Sequence, residues 1–212
     1  MNETLNTLFN AIISGDGAEV QRLVKAALEE KQEPTIILNE GMIAAMREVG
    51  KRFEAGDFFV PEMLLSARAM QAGMAVLKPS LQQSNVQSTG KVVIGTVKGD
   101  LHDIGKNLVA LMLEGAGFEI KDLGIDVAAE DFIAALQAES ADILALSALL
   151  TTTLPSVKQT IKAVEEAGLR NKVKIIIGGA PVTEEYARQV GADGYSPDAS
   201  RAVGVAEALM RK

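Results

Sequence analysis

The 212-residue chain has no cysteine, no tryptophan, a single histidine and only 4% aromatic residues. Without cysteine there is no disulfide and no thiolate metal centre, and one histidine cannot build a multi-histidine zinc or iron site. Any metal must therefore arrive largely pre-ligated. The scarcity of aromatics argues against a base-stacking surface. A net charge of −7, from 21 basic and 28 acidic residues, argues against a surface that neutralises nucleic-acid phosphates. No run approaches the roughly 18 apolar residues of a membrane span, and the start MNETLNTLFN lacks the basic-then-apolar plan of a signal peptide. A cytoplasmic protein with neither nucleic acid nor membrane as a partner is expected.

What is present is ample core material, with 48% hydrophobic residues, arranged in two different patterns. Up to about residue 82, apolar residues recur every three or four positions, as in Leu5, Leu8, Ile12 and in Met42, Ile43, Met46, Val49, which is the period of a helix with one buried face. Stop signals at Ser14-Gly15-Asp16-Gly17, Glu33-Pro34, Ala55-Gly56-Asp57 and Lys78-Pro79 divide this part into four helices. A four-helix bundle over 1–82 is expected. The Ser/Gln-rich stretch around residues 83–90 has the composition of a flexible linker. From residue 91 to 212, short β-branched runs at Val92–Val97, Glu119–Leu123, Ile143–Ser147 and Val173–Ile177, with a weaker one near Gly194-Tyr195, alternate with helical stretches. Crossover helices must lie over the sheet, so this pattern implies a doubly wound, Rossmann- or flavodoxin-like α/β domain with a parallel five-stranded sheet. The expected fold class is α + α/β.

Ligands of such sheets bind beyond the carboxyl ends of the strands. The sole histidine lies there, in Lys98-Gly99-Asp100-Leu101-His102-Asp103-Ile104-Gly105 after the first strand. A metal-binding imidazole usually donates its second N–H to a carboxylate, and Asp100 is the natural candidate. Gly105 has no Cβ, so a bulky group can approach the backbone beside it. The third strand is followed by Ser147-Ala148-Leu149-Leu150-Thr151-Thr152-Thr153 and the fourth by Gly178-Gly179-Ala180-Pro181. Hydroxyls and bare backbone thus converge on one sheet edge.

The combination Asp100-x-His102-x-x-Gly105, 41 residues, Ser147-x-Leu149, 28 residues, Gly178-Gly179 resembles the cobalamin-binding signature of methyltransferases and mutases. The stretch Met46–Glu62 followed by Ser66-Ala67-Arg68 resembles the helical cap that precedes the cobalamin domain of methionine synthase. Cobamide mutases usually lack this cap, so the chain is most similar to the corrinoid proteins associated with methyltransferases.

The resemblance implies a cobalamin or related cobamide bound base-off/His-on, with His102 as the lower cobalt ligand. It implies a cofactor site formed by Asp100, Leu101, His102, Asp103, Ile104, Gly105, Ser147, Leu149, Thr151, Thr153, Gly178, Gly179 and Ala180, with the nucleotide tail entering beside Gly105, Ser147 and Gly178. In this scheme Ser147 hydrogen-bonds the nucleotide base, Thr153 extends the His102–Asp100 relay, and Tyr195 and Ser196 line the base slot. Phe53 and Val60 match cap residues that shelter the methyl group. Methionine synthase has serine where Thr153 stands and leucine where Val60 stands. The implied function is methyl carriage: a substrate-specific methyltransferase methylates Co(I), and a second methyltransferase takes the group from methyl-Co(III) to an acceptor such as tetrahydrofolate or a thiol. A reductive activator is a further implied partner, and the cap has to swing aside for the transfer. The chain itself is expected to be a non-catalytic subunit. A cobamide-binding sensor is the alternative, although no output domain is visible. A phosphate-binding domain is disfavoured because neither G-x-x-x-x-G-K-[ST] nor G-x-G-x-x-G follows the first strand.

Overall fold

Apolar spacings of three and four residues become helices throughout the N-terminal part of the computed structural model, which describes residues 3–83 and 88–211 and falls into two units divided between residues 87 and 88. Helix α1 spans Glu3–Ile13 and α2 spans Gly17–Glu29. Asp16 caps α2 by accepting the Glu19 N–H at 3.0 Å, supplying a partner for one of the amides that a helix start leaves without one. A third helical stretch begins at Pro34 and runs through α3 (Pro34–Ile36), a π-helical turn (Ile37–Ile43) and α4 (Ala44–Ala55). Gly41 sits in the π turn where the third stretch meets α1, and a Cβ there would lie 3.0 Å from the Leu8 side chain. Helix α5 spans Val60–Gln83. The four helical stretches close over Leu8, Ile12, Val24, Met42, Met63 and Met70, all fully buried. Ser66, also buried, donates to the Ile13 carbonyl at the end of α1 at 3.1 Å.

One expected stop is overturned. Pro79 does not end α5, which continues to Gln83. Leu77 and Leu81, one turn apart on the same face, are both buried, and this packing outweighs the hydrogen bond that proline removes. Of the expected linker over 83–90, residues 84–87 lie outside the described residues. At its far flank the Thr89 N–H donates to the Gly117 carbonyl at 3.0 Å, and the Gly90 carbonyl accepts from Glu119 at 2.9 Å.

The second unit alternates strand and helix: β1 (Lys91–Thr96), α6 (Ile104–Gly115), β2 (Glu119–Asp122), α7 (Ala129–Glu139), β3 (Ile143–Ser147), a 3-10 turn (Thr151–Thr153), α8 (Leu154–Glu166), β4 (Lys174–Gly178), α9 (Glu184–Val190), β5 (Gly194–Ser196) and α10 (Ala199–Met210). All four strand pairings are parallel and the order is β2-β1-β3-β4-β5, the flavodoxin-type arrangement. One face packs Val93, Leu144, Ile175 and Ile177 against Phe132 of α7, Val157 and Ile161 of α8 and Ala187 of α9. The other packs Ile94, Ile143 and Ile176 against Leu113 of α6 and Ala206 of α10. Because chain direction switches sides between β1 and β3, their two following loops diverge and leave a crevice between them. No described helix is long and apolar enough to cross a membrane.

Candidate functional site

Parallel register brings Thr96, Ser147, Gly178 and Ser196 into one row across the carboxyl ends of β1, β3, β4 and β5. Side chains alternate between faces along a strand, so all four positions fall on the face covered by α6 and α10, the face to which Ile94, Ala145 and Ile176 belong. Thr96 donates to the His102 carbonyl at 2.9 Å. Ser147 is half-buried. The Ser196 hydroxyl is buried and donates to the Asp198 carbonyl at 2.6 Å. Tyr195 is not part of this row. Its ring packs into the opposite layer, with the cluster of Leu146, Ile177 and Val182, so at this row only its backbone is available.

The loop after β1 carries the histidine to the crevice. His102 Nδ1 lies 2.8 Å from Asp100 Oδ1, and the His102 backbone N–H donates to the same oxygen at 3.1 Å. The other carboxylate oxygen, Oδ2, faces the loop after β3. It accepts from the Leu149 N–H at 2.7 Å, from the Leu150 N–H at 3.3 Å and from the Thr153 hydroxyl at 2.7 Å. Asp100 is completely buried. Burial by itself raises its carboxyl, but the hydrogen bonds from the Thr153 and His102 side chains and from the Leu149 and His102 amides outweigh it and hold the group well below the usual carboxylate range. An anionic Asp100 can only accept, so the proton between the two groups sits on Nδ1, and Nε2 is the ring nitrogen that Asp100 does not engage. The His102 side chain is 49% exposed. The arrangement therefore orients the imidazole at the edge of the crevice and leaves Nε2 as the ring nitrogen for a metal.

Around it lies a collar of exposed apolar side chains: Leu101 (66%), Ile104 (78%), Ile125, Leu149 and Leu150. Exposed side chains this large, gathered beside a polar anchor, mark a surface made to be covered. Gly105 is also exposed, and a Cβ there would meet nothing within 4 Å, so room exists at the start of α6. Asp103, just before α6, accepts from Asn107 at 3.1 Å. Thr151 and Ala180 are exposed at the two loop tips. The double glycine answers to the protein's own backbone: a Cβ on Gly178 would lie 3.0 Å from the Ser196 carbonyl oxygen and one on Gly179 only 1.9 Å from that of Ala148. In the helical unit, Phe53 is half-buried in α4 and Val60 is an exposed first residue of α5.

Several contributors have weak sequence signals. Leu150 and Thr96 act through the backbone or on it. Lys106 is buried in the first turn of α6, where it contacts Asp122 and donates to Asn107 Oδ1 at 2.7 Å. A lysine at a helix start reads as solvent-exposed until the neighbouring strand end is known.

The depressed Asp100 pKa fixes a pH dependence. Its contribution to stability is complete above the unfolded-state value, about 4, and is lost as pH falls below it towards the lower folded-state value. Asp100→Asn is therefore expected to be less stable than the wild type at pH 7. The gap in urea midpoint of the cofactor-free proteins should narrow from about pH 4 downwards. A gap that does not change with pH would mean that the carboxylate charge is not what the five donors stabilise.

The residues present fit a cobamide. The oriented imidazole can serve as a metal ligand, the exposed apolar collar suits a large flat apolar group, and Gly105 leaves open space at the start of α6. A family model described as "B12 binding domain" matches residues 90–204, and a second of the same description matches residues 4–78. The chain is 44% identical over 209 residues to the dimethylamine corrinoid protein of Methanosarcina barkeri, covering 98% of each. Among solved structures it resembles a cobalamin-binding protein from Desulfitobacterium hafniense DCB-2, with a TM-score of 0.81, 34% identity and coverage of 97% of this chain and 98% of that one. It also resembles a chain of the methanol:cobalamin methyltransferase complex of Methanosarcina barkeri, with a TM-score of 0.86, 31% identity and coverage of 99% and 80%.

Proposed function

The chain belongs to the B12-binding corrinoid proteins of methyltransferase systems, and from that premise we propose that it is a methyl carrier that binds its cobamide base-off, with Nε2 of His102 as the lower ligand. The observation that carries this reading is the 2.8 Å contact between Asp100 and His102 Nδ1, backed by a completely buried carboxylate, which leaves one imidazole nitrogen directed to ligation.

When bound, the cobamide supplies a cobalt that takes a methyl group as Co(I) and releases it to tetrahydrofolate or a thiol. The protein's own part is to hold and tune. Asp100 fixes the tautomer and orientation of His102. Leu101, Ile104 and Leu149 offer apolar contact to the macrocycle, and Gly105 leaves space for the descending tail. Ser147, Gly178 and Ser196 form a row along which the tail can lie, with Thr151, Gly179 and Ala180 shaping its rim, and the Thr153 hydroxyl extends the His102–Asp100 relay. Phe53 and Val60 are assigned to sheltering the methyl group, a reading supported by the apolar, accessible character of Val60.

Relatives named for dimethylamine and a complex named for methanol share this architecture. That supports leaving the choice of methyl donor to the partner methyltransferase. A second, acceptor-side methyltransferase and a reductive activator complete the proposed cycle.

Reconstitution tests the reading. Cofactor-free protein incubated with hydroxocobalamin and stripped of excess cofactor is expected to emerge coloured, one cobamide per chain, with the absorption spectrum of an imidazole-ligated corrinoid. Once reduced to the Co(I) state by an added low-potential chemical reductant, it should accept methyl groups when paired with a methylamine or methanol methyltransferase. A colourless product would overturn the proposal.

A further inference from the structure

The buried carboxylate of Asp100 is held from the β3 side, by Leu149, Leu150 and Thr153. Its backbone is held from the opposite side, by a residue of the β2–α7 loop. The Asp126 N–H donates to the Asp100 carbonyl at 3.0 Å, and Asp126 Oδ1 accepts the Gly99 N–H at 2.8 Å. Asp126 therefore engages the histidine loop at two successive residues, one ahead of the carboxylate and one at it. Gly99 turns the chain here with φ +85°, a conformation that leaves its N–H directed away from the strand ladder and in need of an acceptor.

Asp126 is itself built for the task. Its φ is +54°, in the left-handed region that few residues other than glycine, asparagine and aspartate adopt. Its place is fixed by a parallel bridge between Val97 and Val127, and by the Val127 N–H donating to the Thr96 carbonyl at 3.0 Å. Lys98 Nζ also lies 3.0 Å from Asp126 Oδ2, but both side chains are well exposed, and pairs of that kind contribute little. The two bonds to the backbone are what matter.

We propose that Asp126 is a positioning residue for the axial ligand, holding the Gly99–Asp100 backbone so that Asp100 can face His102 and Thr153 at once. The inference rests on the cobamide reading above, and it concerns only this chain's residues. Without the Asp126 carboxylate, the Gly99 turn loses its acceptor, only the residue-126 amide still reaches the Asp100 carbonyl from this side, and the imidazole samples orientations in which Nε2 does not meet the metal.

The test uses full-length Asp126→Gly and Asp126→Asn. The glycine variant accepts the left-handed backbone but removes the carboxylate, whereas asparagine retains both the backbone preference and an acceptor oxygen. In cofactor-free protein, amide exchange at Gly99 and His102, read by NMR, is expected to accelerate about tenfold or more in Asp126→Gly and to stay near wild type in Asp126→Asn. After cobalamin loading and one-electron chemical reduction to Co(II), Asp126→Gly is expected to show a reduced fraction of imidazole-ligated cobalt in its absorption and electron paramagnetic resonance spectra, and Asp126→Asn to restore it. Unchanged exchange in Asp126→Gly overturns the proposal. So does faster exchange with an undiminished imidazole signature, which would make the contact structural only. If the wild type takes up no cobalamin, the reading of the site fails, while the exchange comparison still decides whether Asp126 holds the loop.

Discussion

His102→Ala is expected to yield a protein that still takes up a cobamide but has lost the absorption signature of an imidazole-ligated cobalt. The fold should tolerate the change, because the backbone N–H at position 102 remains and three further groups, the Leu149 and Leu150 amides and the Thr153 hydroxyl, still serve the buried Asp100 carboxylate. What disappears is the only imidazole in the sequence, and with no cysteine and no second histidine no other imidazole or thiolate can replace it. Retention of the cofactor would then report the contribution of the tail row, Ser147, Gly178 and Ser196, separately from that of the axial bond. Visible spectra of wild type and variant, loaded side by side, decide the matter. Identical spectra would remove His102 from the metal.

Gly179→Ala is expected to cost about 4 kcal/mol or more of stability, seen as a large fall in urea or thermal midpoint of the cofactor-free protein. Two effects coincide. A side chain at φ +126° is strained whatever surrounds it, and the new Cβ would lie 1.9 Å from the Ala148 carbonyl oxygen and 2.8 Å from its carbon. Backbone cannot step aside as a side chain can, and Ala148 directly precedes Leu149, whose N–H is 2.7 Å from Asp100. The displacement therefore propagates to the ligand relay. Gly105→Ala supplies the contrast. It meets nothing within 4 Å and sits in the first turn of α6, so it should leave the cofactor-free fold as stable as before, or about 0.5–1 kcal/mol more so. It should nevertheless impair cobamide uptake by filling the open space. Equal unfolding midpoints for Gly179→Ala and the wild type would show that β3 and β4 are not packed as described.

Much of the fold is legible because it is local. Helical periodicity and stop residues mark four helical stretches, and β-branched runs mark five strands within a residue or two of their observed ends. Pro79 misleads because a proline signals helix termination only where no packing opposes it, and the burial of Leu77 and Leu81 is a tertiary fact. The π-helical turn at Ile37–Ile43 has no sequence signature beyond Gly41, whose need for closeness is set by Leu8 on another helix. Family likeness groups Tyr195 with Ser196, yet adjacent strand residues point to opposite faces. The half-buried ring of Tyr195 packs against the apolar layer on one face while Ser196 joins the polar row on the other.

The sequence alone determined the kinds of element, their order along the chain, and the chemistry on offer: one imidazole, a carboxylate two residues before it, a hydroxyl run and a double glycine. Those follow from composition and from periodicities that a short window contains. Only the tertiary structure decided that Asp100 receives donors about 50 positions away, from Leu149 and Thr153, that Asp126 secures the same loop from the other side, and that Gly179 is demanded by Ala148. These contacts join the ends of neighbouring strands. Their existence depends on strand order and register, which arise when two apolar faces are buried at once and are not written in any one segment.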